Sequence, residues 1–133
     1  MIFFTDESFM YHANALVEAF DRKNEIRPMQ DHFPRGTPDI EWISAVSNWT
    51  PKPTVICGDG RVLKNKVERQ VLKEAGLTFI CLRAAGPTCL GRNSPGKIIY
   101  AWPAICVCAT AIRPTVFEVS VKTMKVEKQY QLI

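Results

Sequence analysis

Short apolar runs alternate with longer stretches of helical spacing at the start of the chain. Ile2 to Thr5 is a compact apolar run, which predicts a buried strand. The positions that follow place apolar side chains three or four residues apart, which predicts a helix with Phe9, Ala13, Leu16, Val17 and Phe20 along one face. Ile26 to Met29 predicts a brief second strand, which Pro28 interrupts.

A second helix is predicted after the loop Phe33-Pro34-Arg35-Gly36. Thr37 is a good N-cap, Pro38 suits the first helical position, and Asp39 places an acid in the first turn. The spacing then predicts a buried face formed by Ile40, Ile43 and Val46 or Ser47.

The middle of the chain repeats the same order of elements. Thr54 to Cys57 predicts a buried strand that stops at the turn Gly58-Asp59-Gly60. A helix should follow and end at Gly76 in a left-handed cap, with an apolar face of Leu63, Val67, Val71, Leu72 and Ala75. Leu77 to Leu82 predicts the next strand.

The last third predicts a loop, a helix and a pair of strands. Residues 86–96 are rich in Gly and Pro, and the apolar stretch from Ile98 to Ile112 ends at Arg113-Pro114. Alternation with period two from Val116 toward Tyr130 predicts an edge strand or hairpin. We therefore predict an α/β fold, a three-layer α/β/α sandwich with a mostly parallel central sheet, as one domain over residues 1–133.

Length and composition narrow the class. The chain has 133 residues, 47% of them hydrophobic and 23% charged, which is typical of one soluble globular domain. No apolar run reaches the roughly 20 residues of a membrane span. The N-terminus lacks the basic region of a secretory signal, and the five cysteines are scattered, so we expect a cytoplasmic protein with free thiols and no membrane partner.

Charge is distributed unevenly along the chain. Of 17 Lys and Arg residues, five lie in residues 1–60, and of 13 Asp and Glu residues, nine lie there. The remaining twelve bases and four acids follow in residues 61–133. Such a division suits a protein that holds metal ions beside a polyanion, although solvated surface charge produces the same pattern.

Three aspartates occupy positions that suggest chemistry. Asp6 and Asp59 each follow a predicted strand, and Asp39 lies in the first turn of the helix that leads toward Asp59. Ligands of parallel sheets bind beyond the carboxyl ends of the strands, so we expect these acids at one edge. Converging carboxylates repel each other unless a cation lies between them, and Mg²⁺ or Mn²⁺ prefers oxygen ligands. Phosphodiester hydrolysis is the corresponding reaction.

Each aspartate also has an ordinary structural role. Asp6 could cap the first helix, Asp39 could interact with the dipole of the second, and Asp59 could form an Asx-turn. Glu7 and Glu41 are second-tier metal or site candidates, and solvent exposure is the competing interpretation for both.

Basic and aromatic residues supply candidates for nucleic-acid contact. A cluster begins two residues after Asp59 and could follow a phosphate backbone, the alternative being a solvated helix face: Arg61, Lys64, Lys66, Arg69 and Lys73. Three tryptophans could stack on unpaired bases, although packing in the core is favoured: Trp42, Trp49 and Trp102.

Several segments together resemble a known family. Phe3-Phe-Thr-Asp6-Glu-Ser8, Phe33-Pro-Arg-Gly-Thr-Pro-Asp39-Ile-Glu-Trp-Ile43 and Val55-Ile-Cys-Gly-Asp59-Gly-Arg61 resemble the PIN-like proteins grouped with VapC toxins. Glu68-Arg69 with Leu72, Ala75, Gly76 and Leu77 continue the likeness, which covers nearly the first 80 residues.

This resemblance implies both a fold and a function. It implies an α/β/α sandwich and a Mg²⁺- or Mn²⁺-dependent endoribonuclease that cleaves RNA, with a cognate antitoxin protein, and it assigns metal binding to Asp6, Asp39 and Asp59. Many such enzymes are symmetric, so we expect a homodimer. PIN nucleases usually add a fourth acid, but no Asp or Glu lies between Glu74 and Glu118. The alternative is a weakly active or inactive PIN-like module that binds RNA or a protein.

Overall fold

Strands and helices alternate along the chain in the computed structural model, which describes residues 1–6, 11–57, 66–83, 94–111, 113–120 and 125–131. Within these residues there are six strands, namely β1 Ile2–Thr5, β2 Glu25–Pro28, β3 Thr54–Cys57, β4 Thr78–Arg83, β5 Thr115–Ser120 and β6 Lys125–Gln131. The α-helices are α1 Tyr11–Phe20, α2 Asp39–Ser47, α3 Lys66–Ala75 and α4 Ser94–Cys108, and Met29–Asp31 forms a 3₁₀ turn.

All six strands belong to one sheet in the order β2-β1-β3-β4-β5-β6. Strands β1 to β5 pair in parallel, and β6 pairs antiparallel with β5. Because parallel neighbours require crossover connections, the helices lie on the faces of the sheet. The carboxyl ends of β1 to β5 therefore meet at one edge, called here the carboxyl edge.

Two separate apolar clusters show that helices cover both faces. Phe3 and Val17 belong to a cluster with Trp102 and Ile105, so α1 and α4 cover one face. Phe4 belongs to a second cluster that includes residues of α2 and α3, such as Trp42, Ile43 and Leu72. The predicted three-layer α/β/α sandwich with a mostly parallel sheet is confirmed.

The termini of two helices show how local sequence shapes the fold. Gly76 follows α3 with φ of 65°, which is the predicted left-handed cap. Lys52 Nζ donates a hydrogen bond to the Ala75 carbonyl at 3.1 Å and satisfies an acceptor at the end of α3. Pro103 lies inside α4, on its exposed side, where its missing N–H removes one helical hydrogen bond.

Two predictions about α2 are wrong. The helix begins at Asp39 with Pro38 as its N-cap, and the Thr37 hydroxyl donates to the Pro34 carbonyl at 2.6 Å instead of capping the helix. Trp42, not Ile40, joins the buried face, since Ile40 is exposed. Ile43 and Val46 are buried as predicted, so the buried stripe turns only slightly, toward Trp42.

The apolar face predicted for α1 is also only partly correct. Val17 is buried, but Leu16 and Phe20 are exposed. Among residues 14–20 of this helix, whose burial is described, Asn14 is also buried, and its side chain bonds to Thr5 at the end of β1. In the part of the chain that the structure describes, no helix is long and apolar enough to cross a membrane.

Candidate metal centre at the carboxyl edge

Asp6 lies at the carboxyl end of β1, beside β3. Its backbone N–H donates to the Ile56 carbonyl at 3.1 Å, which extends the parallel ladder by one residue beyond the strand. Successive side chains of a strand alternate between faces, and Phe4 belongs to the cluster beneath α2 and α3. Asp6, two residues later and half-buried, is therefore on the α2 and α3 side of the sheet.

Asp39 is the first residue of α2 and is held by a side chain of the core. Trp42 Nε1 donates a hydrogen bond to Asp39 Oδ1 at 2.9 Å. The Trp42 ring is 1% exposed and stacks on Phe4, with centroids 5.2 Å apart and an angle of 28° between the rings. The carboxylate of Asp39 is thus connected to β1 through two packed aromatic rings.

The pKa of the Cys57 thiol, at the end of β3, is affected by both carboxylates. A hydrogen bond with Cys81 raises the pKa of Cys57 first of all, followed by complete burial, and the negative charges of Asp6 and Asp39 raise it further. Since Coulomb interactions fall with distance, both acids lie close to the same strand end. Asp6 and Asp39 therefore both lie near the carboxyl end of β3, and metal binding by the three aspartates stays a prediction.

A buried polar contact supports the end of β1 from the opposite face. The Thr5 hydroxyl donates to Asn14 Oδ1 at 2.6 Å, and both side chains are buried. This bond connects α1 to the residue that immediately precedes Asp6. A buried hydrogen bond of this kind stabilises one arrangement of the strand end.

The other predicted site residues are placed only in part. Glu41 lies in the first turn of α2 and is exposed, which is the competing interpretation given for it. Lys66 and Arg69 belong to α3. Four further candidates lie outside the described residues: Glu7, Asp59, Arg61 and Lys64. Among the described residues, which do not include Asp59, no group of three or more metal-binding side chains is found.

The tryptophans pack mainly in the interior. Trp42 and Trp102 are buried, which confirms the core interpretation for both. Trp49 is half-buried, with the guanidinium of Arg27 5.1 Å from its centroid and the His32 ring 5.0 Å away. The two buried indoles are therefore not surfaces for stacking on bases.

Sequence reasoning missed the residues that support the two acids. The spacing of Asp39 and Trp42 by three positions is a signal that a helical side-chain pair could form. Asn14 is a polar residue between apolar positions of α1, which is a signal of a buried polar contact. Glu118, on β5, is the next acid after Glu74 in the sequence, and it pairs with Lys128 of the neighbouring strand β6.

Comparison with known proteins identifies a family for this chain. A family model described as PIN like domain matches residues 1–84, the part that contains Asp6, Asp39 and Asp59. The match covers more than half of the chain, and the protein belongs to the PIN-like domain family. No curated protein and no solved structure matches. PIN domains are usually nucleases, so membership of this family suggests a nuclease-type fold.

Proposed function

We propose that this protein is a Mg²⁺- or Mn²⁺-dependent endoribonuclease in which Asp6, Asp39 and Asp59 hold the metal. The observation that carries the proposal is the position of Trp42, which donates to Asp39 and stacks on Phe4, two residues before Asp6, because it supports two carboxylates near one strand end. Like charges at short range favour a cation between them.

Chain connectivity supports the inclusion of Asp59. It follows Cys57 by two residues in the sequence, and two residues of extended chain span at most about 7 Å. We include Asp59 in the proposed site because it follows the end of β3 so closely in the sequence. Three carboxylates form an all-oxygen donor set that suits Mg²⁺ or Mn²⁺.

The reaction that fits this donor set is hydrolysis of an RNA phosphodiester. A bound divalent cation would supply an activated water and neutralise charge on the leaving oxygen. Asp6, Asp39 and Asp59 would hold the cation, and Trp42 keeps the carboxylate of Asp39 in place. Arg61 or Lys64, which follow Asp59 closely in sequence, would steady the scissile phosphate, with Lys66 and Arg69 farther along the RNA.

The biological role follows from the resemblance to VapC toxins. We propose that the chain is the toxin of a type II toxin-antitoxin pair in the cytoplasm, neutralised by a cognate antitoxin protein. Its gene should then lie beside a reading frame for a small DNA-binding protein. Co-expression with that neighbour should restore growth to cells that the nuclease alone arrests, and growth that is unaffected by the nuclease would count against the toxin role.

RNA cleavage by purified variants tests the nuclease assignment. Asp59→Asn should reduce Mg²⁺-dependent cleavage of single-stranded RNA by at least about a hundredfold, because it removes a ligand charge. Glu74→Gln is the matched control, since it neutralises an exposed carboxylate on α3 whose partner is Gln70 at 3.0 Å. Equal cleavage by Asp59→Asn and wild type would refute the assignment.

The absence of Asp and Glu between Glu74 and Glu118 favours a second candidate, a PIN-like module that binds RNA or a protein without cleaving. This module would retain RNA with Mg²⁺ present and release it intact. Electrophoresis of recovered RNA separates the two functions, because the nuclease yields fragments whose number grows with time.

A further inference from the structure

Trp49 lies where the aromatic core on the α2 side of the sheet reaches the surface. Its ring meets Phe4 edge-on, with centroids 5.5 Å apart, and Phe4 also stacks on Trp42 at 5.2 Å. Unlike Trp42, Trp49 is only half-buried. The aromatic packing that supports Asp39 therefore continues as far as an indole that is partly open to solvent.

Arg27, on the edge strand β2, covers this indole with a cation. Its guanidinium carbon lies over the Trp49 ring, 5.1 Å from the centroid. Nε and Nη2 donate to the two carboxylate oxygens of Glu25 at 3.0 and 3.2 Å, and such a bidentate pair fixes the orientation of the planar group. The Arg27 side chain is 32% exposed, so this oriented cation lies at the surface.

His32 is a third group at the same place. Its ring lies 5.0 Å from the Trp49 ring at an angle of 61°, and its side chain is exposed. An imidazole offers at least one N–H donor, which can bond to a phosphate oxygen. We call Arg27, His32 and Trp49 the Trp49 cluster.

The Trp49 cluster is within reach of the candidate metal centre. Asp39 begins α2 and Trp49 follows its last turn, so at about 1.5 Å per residue their backbones are about 15 Å apart. A single nucleic-acid strand with stacked bases rises about 3.4 Å per nucleotide, so about four or five nucleotides span this distance. The loop between His32 and Asp39 also contains Arg35, an exposed cation.

Single-stranded RNA is the ligand whose chemistry matches this cluster. Unpaired bases stack on aromatic rings and on guanidinium planes, and the phosphates accept hydrogen bonds from polar side chains. The bases of a duplex are already paired and stacked on one another, so they do not need such a platform. A cation over an indole can also serve packing alone, in which case RNA affinity would not depend on it.

We propose that the Trp49 cluster binds one nucleotide of the single-stranded RNA that is cleaved at the carboxyl edge. The base stacks against Arg27 and Trp49, and the His32 ring donates to the adjoining phosphate. The identity of the ligand rests on the proposed nuclease function, whereas binding at the cluster does not require a metal. Substrates with at least about four unpaired nucleotides on one side of the cleaved bond should therefore be preferred.

Binding of fluorescein-labelled oligouridine to the full chain in EDTA tests the proposal, because metal-dependent cleavage is then prevented. The double variant Glu25→Gln with Arg27→Gln keeps the net charge and should raise Kd by about tenfold, in keeping with the loss of one stacked base. Glu18→Gln with Arg22→Gln is the matched control, since it also removes one exposed acid and one exposed base, and it should leave Kd unchanged.

Tryptophan fluorescence gives a second readout that does not depend on a loss of stability. Oligouridine should quench the fluorescence of wild type and of Trp102→Phe, whereas Trp49→Phe should lose the quenching because Trp42 and Trp102 are buried. Quenching that persists in Trp49→Phe would overturn the proposal. So would an unchanged Kd in the Glu25→Gln with Arg27→Gln variant, or no binding by wild type at about 100 μM.

Cleavage in Mg²⁺ is measured separately on the same proteins. Wild type that cleaves RNA, together with an unchanged Kd in the Glu25→Gln with Arg27→Gln variant, overturns the Trp49 cluster as a subsite and leaves the nuclease assignment standing. Wild type that binds oligouridine through the cluster in EDTA but never cleaves RNA refutes the nuclease and retains the subsite.

Discussion

Trp42 donates its indole N–H to Asp39 over 2.9 Å while its ring stacks on Phe4 of β1. This pair joins a residue of the hydrophobic core to a carboxylate at the carboxyl edge. Phe4 is two residues before Asp6 in the chain. The position of Asp39 relative to Asp6 therefore depends on how Trp42 and Phe4 pack in the core. Substitutions at Trp42 should affect metal binding although Trp42 is no ligand.

Trp42→Phe tests this relationship. Phenylalanine keeps an aromatic ring against Phe4 but removes the N–H together with part of the indole, so Mn²⁺ should bind about tenfold to a hundredfold more weakly. The free energy of unfolding should fall by about 2–3 kcal/mol, because a hydrogen bond is lost and the smaller ring leaves a cavity. Isothermal titration with Mn²⁺ and urea denaturation measure the two effects.

The control for Trp42→Phe is a matched indole elsewhere. Trp102→Phe also removes an indole hydrogen bond, the one to Asp21 at 2.7 Å, but on the α1 and α4 side of the sheet. It should destabilise the fold to a similar extent and leave Mn²⁺ affinity unchanged. If both variants bound Mn²⁺ as wild type does, Trp42 would have no positioning role.

Two buried threonines should respond oppositely to valine. The Thr5 hydroxyl donates to Asn14, so Thr5→Val should cost about 1–2 kcal/mol. The Thr78 hydroxyl is buried and has no hydrogen-bond partner among the described residues. Thr78→Val replaces it with a group of the same shape and should be neutral or stabilise by up to about 1 kcal/mol. Chemical denaturation measures the free energy of unfolding of both variants. Equal losses of stability would contradict the prediction.

Alanine substitutions at Gly76 and Gly36 distinguish backbone strain from side-chain crowding. Both have positive φ, 65° and 83°, so alanine at either should cost about 1 kcal/mol. A Cβ at Gly76 would lie 3.2 Å from Lys52 Nζ, whereas one at Gly36 meets open space. Gly76→Ala should therefore cost more than Gly36→Ala, because Lys52 must shift from its bond to the Ala75 carbonyl. Thermal melting compares them.

The lowered pKa of Asp21 predicts that the stability of the fold depends on pH. Its hydrogen bond from Trp102 lowers the pKa of the carboxyl below the ordinary value of 3.8, as do bonds from Asn24 and Lys23. The ionised form is favoured by folding, so this contribution is present above about pH 4 and is lost as the pH falls through the lower folded-state pKa. Asp21→Asn should flatten the acid side of a plot of stability against pH, and an unchanged acid slope would contradict the prediction.

Local sequence predicted most elements because their signals are local. Thr54–Cys57 has the predicted bounds, since a compact β-favouring run is enclosed by prolines and glycines. The predicted start of α2 was wrong because the Thr37 hydroxyl donates to the Pro34 carbonyl and does not cap the helix. The exposure of Leu16 and Phe20 could not be predicted, because helical spacing identifies an apolar face and not what covers it.

The sequence could predict that the acids lie near the carboxyl edge of the sheet, but not which side chains support them. Asp6 follows a strand and Asp39 begins a helix, so topology alone brings them to one edge. The support from Trp42 and Asn14 depends on neighbours distant in the chain, as in the bond between Thr5 and Asn14. Side-chain partners of this kind arise from tertiary packing, which the order of elements does not specify.

Mn²⁺ titration of wild type, Asp6→Asn, Asp39→Asn and Asp59→Asn measures most directly whether three aspartates form one metal centre. Wild type should bind Mn²⁺ in the micromolar to millimolar range, and each substitution should weaken binding by at least about tenfold, because each removes a charged ligand of the same ion. Glu74→Gln should bind as wild type does. Absence of binding by wild type at millimolar Mn²⁺, or unchanged affinity in any one of the three aspartate variants, would contradict a centre built from Asp6, Asp39 and Asp59.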